Sequence, residues 1–165
     1  MIFLRKAKEQ DIESIRDLAD RTWWDAYGTY LSREQIRYML DKMYSPAEIL
    51  HQMEEGHIFL IAAQDGQDIG FAGFSVVNSE QRIFKLHKLY ILPQYHGQGT
   101  GKLLMNEVID QVRKAGATTL QLNVNRNNKA LEFYHKAGFV VKETVDLDIG
   151  NGYQMNDYIM EKPIA

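Results

Sequence analysis

The 165-residue sequence contains no cysteine. Disulfides, thiolate metal sites, a cysteine nucleophile and iron–sulfur ligation are excluded together. Proline is scarce, with Pro46, Pro93 and Pro163 the three present. No linker, repeat or low-complexity segment divides the chain, so residues 1–165 read as a single domain. Long apolar runs are also missing. The longest strongly apolar stretch is Ile58 to Ala63, far short of the roughly 20 residues a spanning helix needs. Met1-Ile2-Phe3-Leu4 meets Arg5 and Lys6 at once, leaving no apolar leader core. The expectation is a soluble, cytoplasmic protein with no membrane partner. Positive charge is not in excess: 19 Lys and Arg against 22 Asp and Glu leave a net charge of −3. A nucleic-acid partner gripped through its phosphates is therefore not expected. The five histidines lack metal-ligand spacing, and no Gly-x-Ser-x-Gly elbow occurs. Asp146-Leu147-Asp148-Ile149-Gly150 opens like a calcium loop, but its later positions fail and a hairpin turn explains it. No metal is expected.

What is present is ordinary globular material, 45% apolar and 25% charged, enough for a substantial core. Residues 2–7 alternate weakly as a strand. Residues 9–27 place Ile12, Ile15, Leu18 and Ala19 at helical spacing and end in Trp23, Trp24 and Tyr27 before Gly28. Ser32-Arg33-Glu34-Gln35 and Ser45-Pro46-Ala47-Glu48 are capping boxes opening two more helices. The period then changes. His57–Gln64 and Asp68–Asn78 read as strands around an Asp65-Gly66 turn. A third strand covers 82–92, a helix runs to about Ala115, Thr118–Asn125 is a strand and Asn127–Ala137 a helix. Phe139–Asp148 and Tyr153–Glu161 close the chain as strands around Gly150-Asn151-Gly152. The fold class is mixed α/β: hairpins in antiparallel pairing with one strand–helix–strand crossover.

The informative stretch is Tyr90-Ile91-Leu92-Pro93-Gln94-Tyr95-His96-Gly97-Gln98-Gly99-Thr100-Gly101-Lys102, where a strand runs through three alternate glycines into a helix. Glycine lets backbone N–H groups converge, and a helix N-terminus adds partial positive charge. Together they suit a phosphate or pyrophosphate. The Walker pattern fails, because His96 replaces its first glycine and Leu103 its hydroxyl residue. The dinucleotide fingerprint fails at Lys102.

A third pattern fits. The segment resembles the GNAT superfamily of acetyl-CoA-dependent N-acetyltransferases, whose motif is [Gln/Arg]-x-x-Gly-x-[Gly/Ala] at a strand-to-helix junction. His96 departs from the usual Gln or Arg. Asn127-Asn128-Lys129-Ala130-Leu131-Glu132-Phe133-Tyr134-His135-Lys136-Ala137-Gly138-Phe139 is similar to a second segment of that family. The resemblance covers about residues 57–162, and the whole chain looks most like the PaiA-type polyamine acetyltransferases. It implies a GNAT fold: a central, mostly antiparallel mixed sheet of six to seven strands, flanked by helices and splayed at the acetyl-CoA site. It implies acetyl-CoA as cosubstrate, a small-molecule amine acceptor such as spermidine or spermine, and no covalent acetyl-enzyme. A protein N-terminus or lysine is the alternative acceptor, and a non-catalytic acyl-CoA sensor the rival class. GNAT proteins are often dimers, so a homodimer is compatible.

The resemblance also assigns residues. Backbone of Leu89, Tyr90 and Ile91 is implied to bind the pantetheine arm. His96, Gly97, Gln98, Gly99, Thr100, Gly101 and Lys102 are implied to hold the pyrophosphate, with Asn127 and Lys136 at the cofactor as well. Asn127 also suits a helix N-cap. Tyr134 matches the family tyrosine near the CoA sulfur and is the candidate proton donor. Strand alternation, if it holds, puts His87 on the same face as Leu89. Its ordinary pKa suits a base, and a hydrogen-bonded strand histidine is the other reading. Trp23, Trp24 and Tyr27 are candidates for the acceptor wall, since aromatic faces attract cationic amines by ~0.5–2 kcal/mol. Packing on the core is the more frequent use of such a cluster. Asp25, Glu54 and Glu55 offer negative charge to a polyamine.

Overall fold

A computed structural model describes residues 1–164. Strand β1 (Ile2–Lys6) leads through a 3-10 turn, Glu9–Asp11, into α1 (Ile12–Tyr27). The helix starts later than its periodicity suggests because the Asp11 carboxylate accepts the Lys8 N–H at 2.9 Å and closes the turn early. Helices α2 (Arg33–Met43) and α3 (Pro46–Glu54) begin where their caps predict. Ser32 Oγ accepts the Gln35 N–H at 3.0 Å, and Ser45 Oγ the Glu48 N–H at 3.1 Å. Strands β2 (Ile58–Gln64) and β3 (Gln67–Asn78) form the expected hairpin. Then come β4 (Ile83–Ile91), α4 (Thr100–Lys114), β5 (Thr119–Asn125), α5 (Ala130–Lys136), β6 (Val140–Gly150) and β7 (Tyr153–Pro163). The two residues joining β6 to β7, Asn151 and Gly152, both have positive φ, at 54° and 79°. That is the tight hairpin geometry that suits a right-handed strand twist.

The seven strands make one sheet in the order β1-β2-β3-β4-β5-β7-β6. Every neighbouring pair is antiparallel except β4 with β5. This is the splayed, mostly antiparallel mixed sheet implied by the sequence. Helix α1 packs on β3 and β4, α2 and α3 pack on α1, and α4 lies over β2, β3 and β4. Among the described residues no helix is long and apolar enough to cross a membrane.

The core under α1 is aromatic. Trp23 is 1% exposed and its ring lies 4.6 Å from Tyr27, 5.8 Å from Tyr44 and 5.7 Å from Tyr90. Burial of a ring this size contributes several kcal/mol. Trp23 is therefore core, not acceptor wall. Its indole N–H finds no partner, so its contribution is packing. Trp23→Ala is expected to lower unfolding free energy by about 3–5 kcal/mol, measured by urea denaturation. A loss below about 1 kcal/mol would show that the helix layer does not hang on this ring.

Candidate active site

The parallel pairing of β4 with β5 runs only from Ile83–Leu86 against Thr119–Leu122. Beyond it, β4 continues against β3 alone and β5 against β7 alone. The break coincides with a bulge. Gly73 pairs with Lys88 but Phe74 with Leu86, so His87 has no partner on β3. A bulge bends its strand and increases local twist. The gap opens as a cavity of about 630 Å³. Its walls are Leu86–Ile91 of β4, Leu122–Val124 of β5, Phe133 and Tyr134 of α5, and the glycine loop. Thr22, Asp25, Ala26 and Tyr27 of α1 also line it.

Backbone groups face this gap. The Leu92 N–H bonds Ile69 O on β3, while Ile91 O accepts the His96 Nε2–H at 2.8 Å. Antiparallel alternation then turns the Leu89 and Ile91 amides away from β3, toward the split. The histidine that departs from the family's Gln or Arg thus ties the loop to the end of β4.

The loop has the backbone of an anion cradle. Gly97 and Gly99 have φ of +80° and +82°, and Gly99 directly precedes α4. A Cβ at either would meet nothing within 4 Å, so backbone strain, not crowding, demands glycine there. The first amides of α4 have no partner within the helix. Thr100 is 1% exposed, and its Oγ1 has no hydrogen-bond partner. Lys102 adds a cation at the rim. These groups fit a diphosphate.

A family model described as acetyltransferase (GNAT) domain matches residues 29–162. The chain belongs to the GNAT acetyltransferases. An uncharacterized N-acetyltransferase of Mycobacterium tuberculosis is 31% identical over 157 residues, 94% of this chain and 99% of that one. The spermidine N(1)-acetyltransferase of Thermoplasma acidophilum is 28% identical over 167 residues, 98% of this chain and 96% of the relative. The crystal structure of PaiA N-acetyltransferase from the same organism, in complex with coenzyme A, superposes with a TM-score of 0.85 at 28% identity, covering 99% of both chains. The chain is an N-acetyltransferase of the kind that uses acetyl-CoA.

Within this GNAT site, Leu89, Tyr90, Ile91, His96, Gly97, Gly99, Thr100, Gly101, Lys102, Tyr27 and Tyr134 all line the cavity. Burial pushes the Tyr134 phenol well above its ordinary value, so it stays protonated through the neutral range. Its ring meets Phe133 and Phe139 edge-on, at 5.5 and 6.1 Å. The Tyr27 and Tyr90 hydroxyls bond each other at 2.8 Å, pinning α1 to β4.

Other expectations fail, each for a local reason. The alternation assumed for His87 is broken by the bulge. Its Nε2 bonds Ser75 Oγ at 2.7 Å and its ring stacks on His57 at 4.5 Å. Burial, then the charges of His57, Lys88 and Lys85, lower its pKa to about 3, which makes it a poor base at neutral pH. Trp24 does not line the cavity, and lies under the guanidinium groups of Arg33 and Arg37 at 5.8 and 5.3 Å. Asn127 does not cap α5: Asn128 Oδ1 accepts the Ala130 N–H at 2.8 Å, and Asn128 is the asparagine at the cavity. Gln98 and Lys136 do not line it either; Lys136 pairs with Glu132 at 3.5 Å on the exposed side of α5. Glu54 and Glu55 lie away from the cavity, whereas Asp25 is on its wall. The residues missed by sequence reasoning include Asn123, Lys129 and Phe133. For Asn123 a signal existed: it is polar in the alternating Leu120, Leu122, Val124 strand.

Two outcomes test this geometry. Gly99→Ala forces an L side chain into left-handed backbone and is expected to weaken acetyl-CoA binding about tenfold or more, read by calorimetry. Unchanged affinity would mean the loop backbone does not hold the cofactor. Unfolded, His87 takes up a proton near its ordinary value of 6.5; folded, only near 3. Between those values the unfolded chain binds more protons, so stability rises with pH by about 1.4 kcal/mol per unit from this group. His87→Gln is expected to flatten that slope between pH 4 and 6 in urea titrations. An identical slope would show that His87 titrates normally.

Proposed function

We propose that this acetyltransferase moves an acetyl group from acetyl-CoA to a primary amine by direct attack in a ternary complex. Its first acceptor class is a polyamine such as spermidine or spermine. The observation that carries this reading is the cavity through the β4/β5 split, lined both by the glycine loop and by Asp25 and Tyr27 of α1. One gap thus offers a backbone cradle for the donor and an acidic, aromatic wall for the acceptor. The spermidine acetyltransferase relative, similar over nearly the full chain, supports the acceptor class.

The roles follow from chemical need. An alkyl amine with pKa near 10.4 is only about 0.1% neutral at pH 7.4, a deficit of roughly 4 kcal/mol. With His87 turned toward Ser75, this proton leaves through the solvent-open end of the cleft. The amine lone pair then forms the C–N bond at the thioester carbon. Oxyanion charge falls to the Leu89 and Ile91 amides, preorganised because no strand pairs with them. The nitrogen then gives up its extra proton to solvent in the cleft, the C–S bond breaks, and the departing thiolate takes a proton back from that solvent. The Tyr134 hydroxyl is the donor at that sulfur. A phenol held above ~10 is a weaker acid than a thiol near 8.5, so Tyr134 stabilises the thiolate by a hydrogen bond while the proton is resupplied. Thr100 and the loop amides hold the diphosphate. Soluble, cytoplasmic action and a homodimer remain part of this reading.

Mass spectrometry of products from acetyl-CoA with spermidine, spermine, putrescine, amino acids, aminoglycosides and lysine peptides tests the acceptor class. Acetylated spermidine or spermine is expected. Exclusive acetylation of peptides would move the acceptor to protein amines, and a silent panel with CoA bound would favour a sensor. Tyr134→Phe is expected to lower kcat by about 10²-fold or more with acetyl-CoA affinity retained. An unchanged kcat would remove Tyr134 from the chemistry.

A further inference from the structure

Asp157 has no part in that scheme, yet it is buried without compensation. It lies on β7 between Asn125 of β5 and Val145 of β6, and it is 6% exposed. Its Oδ2 accepts one long hydrogen bond, 3.5 Å from Asn123 Nδ2, and its Oδ1 has no partner. Among the described residues no basic side chain forms an ion pair with it. Arg126, one of its two cationic neighbours, gives one guanidinium nitrogen to Asp146 and the Val145 carbonyl, while its buried Nε makes no hydrogen bond to the carboxylate or to anything else. The other is Lys85, itself largely buried. A carboxylate held this way is destabilising unless something donates to it. Burial raises its pKa and lowers that of Lys85.

Its surroundings lead back to the acetyl-transfer gap. Asn123, its one hydrogen-bond donor, lines the cavity. Register puts Asn123, Asp157 and Lys85 on one face of the sheet. Tyr30, whose ring is 5.9 Å from Tyr27, is a second orphan there: its hydroxyl is buried without a partner and feels the charge of Asp157. Asn125, paired to Asp157, is three residues past Leu122, where β5 leaves β4. Leu89 is three residues past Leu86 on the other arm. Asn123 therefore stands on the wall of that cleft, and the carboxylate lies directly behind it.

We infer that Asp157 anchors an ammonium group of the acceptor through Oδ1, beside Asn123 and Tyr30, and so selects amines that carry a second positive charge. The anchored nitrogen is not the reacting one, because a carboxylate favours the charged form and the nucleophile must be neutral. The inference rests on the amine-acetyltransferase reading and adds the group that distinguishes a diamine or polyamine from a monoamine.

The test compares spermidine with propylamine on the wild type and on Asp157→Asn, with CoA binding as the check on folding. The ratio of kcat/KM for spermidine to that for propylamine is expected to fall ten- to a hundredfold, about the worth of one hydrogen bond to a charge. Spermidine titrated into the CoA-bound protein should bind the variant correspondingly more weakly. Equal losses for the two amines, or unchanged spermidine binding, overturn the anchor. Should the variant fail to fold, a crystal structure of the wild type with CoA and spermidine decides. An ammonium within hydrogen-bonding distance of Asp157 Oδ1 supports the anchor, and one seated elsewhere overturns it. Spermidine that binds through Asp157 but is never acetylated would leave the anchor standing and sink the transfer reaction instead.

Discussion

Everything chemical in this protein depends on two parallel strands that stop pairing after four residues. A continuous β4/β5 ladder would satisfy every amide and leave no room for a substrate. Here β5 stays paired with β7 while β4 is bent away at the bulge at His87, so the Leu89 and Ile91 amides are left facing a gap. In the proposed reaction they would serve as preorganised donors for a carbonyl that develops negative charge.

The helical layer keeps that gap from collapsing. Tyr27 bonds Tyr90 at the end of β4, and Trp23 packs against both. One turn further along the sheet, the buried Lys88 donates to Gln52 of α3 at 2.8 Å and lies over the rings of Tyr44 and Phe59. With His87, Ser75 and His57 it forms a polar layer beneath the bulge. Such groups weaken a core when unpartnered, and here most are matched across three elements. The bulge is thereby held in one arrangement. The same region explains why His87 is a poor base: it is buried there, and its charged neighbours are histidine and lysine.

The readable parts of the sequence share one property, that their cause is local. The caps at Ser32 and Ser45, the hairpin turns at Asp65-Gly66 and Asn151-Gly152, and the glycine loop each depend on a few consecutive residues. The place of Tyr134 on the cavity wall was legible because it lies inside the second family-like segment, residues 127–139. The failures share the opposite property. Alternation along β4 put His87 on the face of Leu89, but the register shift against β3 set it toward Ser75, although it still borders the cavity. Trp23 and Trp24 are adjacent and chemically alike, and their neighbours alone made one core and the other a surface shelf for Arg33 and Arg37. Asn127 was the cap read from the sequence, but in the folded turn it is the Asn128 side chain that accepts the Ala130 N–H.

The order of elements, their periodicities and the anion loop were settled by residues close together in the chain, because helix caps, tight turns and positive-φ glycines are short-range requirements. Which polar side chains meet in the cleft was settled only by the sheet. Strand order β5-β7-β6 inserts the last strand beside β5, bringing Asp157 to Asn123 across 34 positions of sequence. No local pattern encodes that meeting, since it depends on where two strands stop pairing and a third begins.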